Sequence, residues 1–327
     1  MNPTPRISRT DPDGNPGDPA DGKPEAPRWP VFLMLVGTMA LWGGTWPVGR
    51  VVSSSVEPWN AALLRFAMAS IALVLICVRT GGLRALRLRP ALLPLLLLLS
   101  ATGIFGYSFL FFSGLRTTDA GRAGLIVGCI PASIALFSSV MARQRPSPPA
   151  MAGIVMSLAG VWIVISHGHP LTMLRGEVRS GDLMILGCVF CWTAYTLLAR
   201  PVMHELAPLV AVTWSCLLGT VLILPFALAG GLLREIQSMS ATAWAGLVYL
   251  GVPATSLAYY WYYHAIRRIG GMASGMFINL VPLFALSSGC LFLGETLHMS
   301  EVLGGLLVIS GVILAMRSRH LAGRPVS

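Results

Sequence analysis

Residues 259–312 read YYWYYHAIRRIGGMASGMFINLVPLFALSSGCLFLGETLHMSEVLGGLLVISGV, and this stretch decides the fold. An aromatic helix end (Tyr259 to Tyr263) leads through Arg267 and Arg268 into an apolar helix carrying Gly271, Gly275, Asn279 and Pro282. Gly294 and Glu295 close that helix, and the next carries Gly304 and Gly311. The same punctuation stands 151 residues earlier: Arg116 for Arg267, Gly124 for Gly275, Pro131 for Pro282, Gly153 for Gly304 and Gly160 for Gly311. Only six of the 51 pairs from Gly114 to Val164 are identical, yet they include the Gly and Pro positions and need no gap. Gly and Pro set backbone geometry, so matches at those positions mark a structural repeat.

Composition puts that repeat in a bilayer. Of 327 residues, 55% are hydrophobic and 11% charged, where a soluble domain carries about 25% charged residues. The net charge of +10 is spread singly and in pairs at the ends of apolar runs. That pattern fits loops facing anionic lipid, whereas nucleic-acid binding needs a contiguous basic patch. No nucleic-acid partner is expected. All six cysteines fall inside apolar runs, and Cys188-x-x-Cys191 reads as small apolar packing with no His or carboxylate beside it. Residues 1–28 are rich in Pro, Gly, Asp and Asn and read as a disordered cytoplasmic tail, with no apolar core of a cleavable signal.

From Trp29 onward, apolar runs of spanning length alternate with short breaks. They predict an all-α integral membrane protein with ten transmembrane helices, near residues 31–50, 59–78, 91–112, 122–142, 150–166, 183–199, 208–230, 241–263, 271–293 and 302–316. With the N-terminus inside, sixteen Lys and Arg fall in inner segments and six in outer ones (Arg50, Arg116, Arg122, Arg175, Arg179, Arg234). The positive-inside bias therefore favours both termini in the cytoplasm. Ten helices divide into two fives, and because five is odd the second set enters from the other side. The expected domains are a first repeat over 29–167, a second over 181–317, and a cytoplasmic tail over 318–327. Trp42 to Arg50 and Trp192 to Arg200 support the pairing, since each repeat carries Trp-x7-Arg at an offset of 150. Inverted repeats with a site between the halves are the architecture of many secondary transporters.

The acidic residues are informative by position. Five of the 13 lie in the N-terminal tail, and the other eight lie in loops or at helix ends. Ion-coupled carriers often use an intramembrane carboxylate, so coupling here would fall to a helix-end group or to the substrate. Glu295 and His264 are the coupling candidates, with a surface role as the plainer reading of His264. No paired carboxylates, metal-ligand cluster, phosphate loop or Ser/His/Asp set stands at one membrane depth. Neither catalytic residues, metal nor cofactor are expected, and the chain reads as no enzyme.

Arg65 is the one cation clearly inside a span, about 9 Å from the outer end of the second helix at 1.5 Å per residue. It either snorkels to helix-end carbonyls or faces the cavity and meets a substrate carboxylate. Trp42 and Trp46 share a face of the first helix, Tyr107 lies in the third, and Trp192 and Tyr195 share a face of the sixth. Ser256, Tyr259 and Tyr263 form a stripe on the eighth. These rings are candidate walls for a small amphipathic solute, with packing as the alternative; Trp29, Trp59 and Trp244 read as interface anchors. Asn279 needs a polar partner in hydrocarbon and is a candidate substrate ligand, or else bonds a neighbouring helix. Pro131 and Pro282 are candidate helix hinges. Gly124 with Gly128 and Gly271 with Gly275 read as close-packing pairs between the fourth and ninth helices.

Trp42-Gly43-Gly44-Thr45, Arg65-Phe66, the Pro131 and Pro282 helices, Gly294-Glu295 and Gly304 with Gly311 together resemble the EamA-type drug/metabolite transporter superfamily. The resemblance covers about residues 31–317. It implies a bacterial inner-membrane carrier of amino acids and related small metabolites, working by alternating access. One departure is visible: the family often repeats Gly-Glu after the fourth helix, where this chain has Arg143-Gln144, which weakens any proton coupling inferred from the family. The expected function is a secondary transporter, an exporter of small metabolites such as amino acids, with a small-molecule substrate and the lipid bilayer as its partners. A membrane-embedded lipid-handling protein and a structural membrane protein are the competing readings. Each chain holds both halves of a site, so a monomer suffices, and a homodimer stays open.

Overall fold

The computed structural model describes residues 29–143, 146–166, 179–270, 274–275 and 277–321. The tail reading of residues 1–28, Gln144, Arg145, Arg175, Gly271 and residues 322–327 lie outside the described residues. Eight helices are long and apolar enough to cross a membrane: α1 (Trp29–Ser53), α2 (Pro58–Gly81), α3 (Pro90–Gly114), α4 (Ala120–Met141), α5 (Pro148–Ile165), α6 (Ser180–Glu205), α7 (Pro208–Ala229) and α8 (Ala241–Ile269). Two shorter apolar helices, α9 (Phe277–Leu293) and α10 (Met299–Leu321, apolar to Ala315), complete the ten. No strand occurs among the described residues. Large apolar side chains such as Ile71, Leu75, Val221 and Leu291 stand exposed on the outside of the bundle, where lipid rather than water is the solvent.

Helix starts follow the sequence punctuation. Pro58, Pro90, Pro148 and Pro208 occupy first-turn positions, where the missing N–H costs nothing. Glu57 caps α2, its carboxylate accepting from Trp59 N at 2.8 Å and Asn60 N at 3.1 Å. Gly294 ends α9 at φ 65°, a left-handed conformation that favours glycine.

The internal symmetry is visible in packing. A Cβ on Gly153 would lie 2.5 Å from Gly311 O, and one on Gly160 would lie 2.5 Å from Gly304 O. Rising numbers on α5 thus meet falling numbers on α10, so these repeat-related helices run antiparallel with backbones in contact. Ser70 and Thr220, 150 residues apart, share a 3.4 Å hydroxyl contact between α2 and α7. Two five-helix repeats of opposite orientation make up the fold. The face where α1 begins is termed the near face, and the face where it ends the far face.

Four helices carry matched irregularities. α4 breaks after Val127 and resumes at Ile130 with Pro131 in its first turn. α9 opens as a 3-10 turn, Phe277–Leu280, and continues from Val281 with Pro282 in its first turn. Proline cannot continue the ladder of the preceding turn, so both breaks stand where the repeat places it. The widened turns of α3 (Ser100–Gly106) and α8 (Val252–Leu257) are also repeat-related; Pro253 stands in the second, while Thr102 takes its place in the first. In α8, Thr255 Oγ1 donates to Leu250 O at 2.7 Å and Ser256 Oγ to Gly251 O at 3.1 Å, so hydroxyls serve carbonyls that the wider turn leaves under-satisfied.

Candidate functional site

The aromatic candidates form one connected cluster between helices of both repeats. Trp42 of α1 lies 5.6 Å from Tyr259 and 5.3 Å from Tyr262 of α8, ring centre to ring centre. Tyr259 stacks on Tyr263 at 6.0 Å. On the other side Trp46 meets Phe111 at 5.1 Å, Phe111 stacks on Tyr107 at 6.1 Å, Tyr107 meets Trp192 at 5.4 Å, and Trp192 meets Tyr195 at 5.3 Å. Trp46, Phe111, Tyr107, Tyr259 and Tyr263 belong to one apolar core, which joins the two rows. Trp46 and Tyr195 are buried, while Trp42, Tyr107, Trp192, Tyr259 and Tyr263 keep part of their surface exposed. Phe111 and Tyr262 also belong to this cluster; Tyr262 was read only as part of the aromatic helix end and Phe111 not at all, although each sits one helical turn from a candidate residue. Trp59 is no free-standing anchor: it packs against Phe105, Phe109 and Phe226 at 4.9, 4.3 and 4.8 Å.

Arg65 does not snorkel. Its side chain is 8% exposed, its guanidinium carbon lies 5.0 Å from the Phe66 ring centre and 5.4 Å from that of Phe111, and Nη2 donates to Thr255 Oγ1 at 3.5 Å. Nε and Nη1 reach no acceptor among the described residues. Phe111 belongs to one aromatic row, and Thr255 stands one turn before Tyr259 of the other, which sets the cation at the junction of the two rows. Thr255 stands in the widened turn of α8, so the irregular backbone and the buried cation occupy one place.

Asn279 lies half-buried in the 3-10 turn that opens α9. Gly124, early in α4, packs so close to Ala285 that a methyl group would overlap it, whereas a Cβ on its repeat partner Gly275 meets nothing within 4 Å among the described residues. Both segments of α4 pack on α5, α6 and α10, and the first segment packs on α1 and α9 as well. α4 and α9 are thus pressed together near the far face, and near the near face Gly275 borders open space among the described residues.

The two coupling candidates are far apart. His264 sits half-buried near the near-face end of α8, its ring 6.4 Å from that of Tyr260. Glu295 follows α9 at the far face, where its oxygens accept from Ala120 N at 2.7 Å and Gly121 N at 2.9 Å, with Arg50 Nε 3.9 Å away. A carboxylate on two free N–H groups of a helix start is held by hydrogen bonds and by the helix dipole together. Arg50 also pairs with Asp119 at 2.9 Å, and Asp119 with Arg179 at 3.2 Å. Arg122, expected as an outer loop cation, is instead buried in α4 and pairs with the fully buried Asp182 of α6. The polar entry of both helices, with charges on their first turns, hid this pair from a reading that took helix ends as exposed. A cavity of about 480 Å³ lies at this face, lined among others by Arg50, Asp119, Arg122, Cys290, Glu295 and Glu301.

Comparison with known proteins agrees with this geometry. The EamA-like transporter family model matches residues 29–166 and again 179–317. The uncharacterized transporter YyaM of Bacillus subtilis is 26% identical over 87% of this chain and 93% of its own length. A protein of Streptantibioticus cattleyicolor named as a probable terminal-alkyne amino-acid exporter is 26% identical, over 86% of this chain and 92% of its own. A Salmonella typhimurium protein named as a probable amino-acid metabolite efflux pump is likewise 26% identical, over 86% and 93%. One solved crystal structure, 20% identical with a TM-score of 0.59 over 90% of this chain and 99% of that one, has the same fold.

Proposed function

The chain belongs to the EamA-like transporter family, and from that premise we propose that it is a secondary transporter exporting amino acids or related small amphipathic metabolites across the bacterial inner membrane. The observation that carries this reading is the aromatic cluster shared by the two repeats, from Trp42 and Trp46 through Phe111, Tyr107 and Trp192 to Tyr195, Tyr259 and Tyr263. Rings contributed by both repeats that still keep exposed surface are suited to wall a solute site, since aromatic faces hold the apolar part of a solute. Amino-acid export is favoured by the two relatives whose names carry it.

The positive-inside count puts the near face and both termini in the cytoplasm. The charged contacts of Arg50, Asp119, Glu295, Arg122 and Asp182 then close the periplasmic side, and the unpacked Gly275 lies toward the cytoplasm. Rocking one bundle of helices against the other, with the Pro131 and Pro282 breaks as hinges, would release the first and close the second.

Reconstituted in liposomes loaded with a labelled amino-acid mixture, the purified protein is expected to move at least one component above the rate of empty vesicles. Trp42→Ala and Tyr259→Ala are expected to abolish this while leaving a monodisperse protein. Failure of the wild type to move any amino acid or small metabolite, with or without a pH gradient, overturns the reading.

A further inference from the structure

We propose that Arg65 is an anion subsite that takes the carboxylate of the transported solute. This rests on the transporter reading and narrows it to solutes bearing a carboxylate or an equivalent acid group.

Among the described residues two arginines are deeply buried, and they contrast sharply. Arg122 is fully provided for: Nε and Nη2 hold the two oxygens of Asp182, and Nη2 also donates to Ile165 O at 2.6 Å. Arg65 is 8% exposed and has none of this. Nε and Nη1 reach no acceptor, Nη2 makes one long bond to Thr255, and every ion pair among the described residues is formed elsewhere. A guanidinium stays charged under all ordinary conditions, so its proton cannot be shed to relieve the burial. The rings of Phe66 and Phe111 offset part of that cost through their faces, but rings accept no strong hydrogen bond. What remains is a cation with its donors in hand, and the planar Nε–Nη2 edge is the shape that a carboxylate binds two-pronged.

Position supports the same conclusion. Phe111, 5.4 Å from the guanidinium carbon, stacks on Tyr107 and meets Trp46, so an acid group held there would place its apolar body among the rings. The symmetry-related position, 150 residues on as Pro208 is from Pro58 and Thr220 from Ser70, is Ser215, buried with its hydroxyl donating to Ala211 O at 2.9 Å. One repeat supplies a cation and the other a neutral hydroxyl. Each chain therefore offers a single anion site, and the acid end of the solute binds in one orientation.

The test compares medium and cell metabolites of a host overproducing the wild type, Arg65→Gln or Arg65→Lys, each checked for monodispersity after purification. Solutes redistributed by the wild type are expected to carry an acid group. Arg65→Gln is expected to lower their flux by about 10-fold to 100-fold, the range for losing a charged hydrogen-bonded partner, and Arg65→Lys to fall in between. The carboxamide of the most strongly moved solute, tested on the wild type in liposomes, is expected to move no faster than the acid does with Arg65→Gln. That selectivity is a readout a purely structural arginine would leave alone, and it decides the matter if Arg65→Gln does not fold. Redistribution of solutes without an acid group, or equal transport of acid and carboxamide by the wild type, overturns the subsite and leaves the transporter standing. A wild type that redistributes nothing overturns the transporter reading and the subsite with it.

Discussion

Arg122 and Asp182 meet through two bonds, Nε to Oδ1 at 2.9 Å and Nη2 to Oδ2 at 2.5 Å, with side chains 1% and 0% exposed. Thr118 Oγ1 adds a third contact to the carboxylate at 3.0 Å. Removing one partner strands a buried charge, which costs about 3–5 kcal/mol, whereas replacing both by apolar groups of like volume is often neutral. Asp182→Asn or Arg122→Met is therefore expected to lower the melting temperature of the purified protein sharply. Asp182→Leu combined with Arg122→Met is expected to recover most of it. Additive losses in the double variant would mean that the pair is no unit.

The Gly124 and Gly275 pair turns the asymmetry of the structure into a measurement. The two glycines are repeat-related, yet a methyl group on Gly124 overlaps Ala285 and one on Gly275 meets open space. Gly124→Ala is expected to destabilise by about 1–3 kcal/mol through overpacking. Gly275→Ala is expected to stay within about 0.5 kcal/mol, as an unobstructed substitution does. If the far side of the transport cycle presses α9 onto its neighbours as α4 is pressed here, Gly275→Ala will slow transport without altering melting. Equal melting losses in both variants would remove the case for an asymmetric state.

The helix count, the repeat and the proline breaks were legible because each is written in residue types with few structural options: long apolar runs, prolines and glycines at a fixed offset. Trp42, Tyr107 and Tyr259 were legible as candidates because large rings at helical spacing share a face. The Arg122–Asp182 pair was not, since both residues stand on first turns, where charge is usually solvated, and only tertiary packing brings α4 against α6. The widened turns at Ser100–Gly106 and Val252–Leu257 were hidden for a different reason. Pro253 marks only the second, as a residue that cannot donate to the preceding turn, and the repeat-related position in the first is Thr102, which carries no such mark. Glu295 was legible as a helix-end carboxylate, but its two backbone donors belong to a helix start that lies 174 residues away in sequence.

Opposite orientation of the repeats gives a topological test. Arg87 follows α2 and lies at the near face, while Ser180 opens α6 at the far face, and both are exposed. In right-side-out vesicles, with the native cysteines replaced, an impermeant maleimide is expected to label Ser180→Cys and spare Arg87→Cys. Inverted vesicles are expected to give the reverse. Labelling of both sites from one side would break the five-plus-five arrangement, because an odd number of spans separates them.

Glu295 fastens the end of α9 to the start of α4, and its carboxylate charge is part of the fastening. Glutamine keeps a single good acceptor and no charge, so Glu295→Gln loses the attraction of the helix dipole and of Arg50, about 0.3–1 kcal/mol for a partly exposed group. Alanine also strands the Ala120 and Gly121 N–H groups. Cys290, half-buried in the lining of the far-face cavity, reports on this contact directly. With Cys290 as the sole cysteine, its labelling rate by a small impermeant thiol reagent applied from the far face is expected to rise in the order wild type, Glu295→Gln, Glu295→Ala. A shift of about 1.4 kcal/mol in the open fraction multiplies the rate about tenfold, so the alanine variant lies well within detection. A rate unchanged by both substitutions would make Glu295 a helix cap without a part in closing that face.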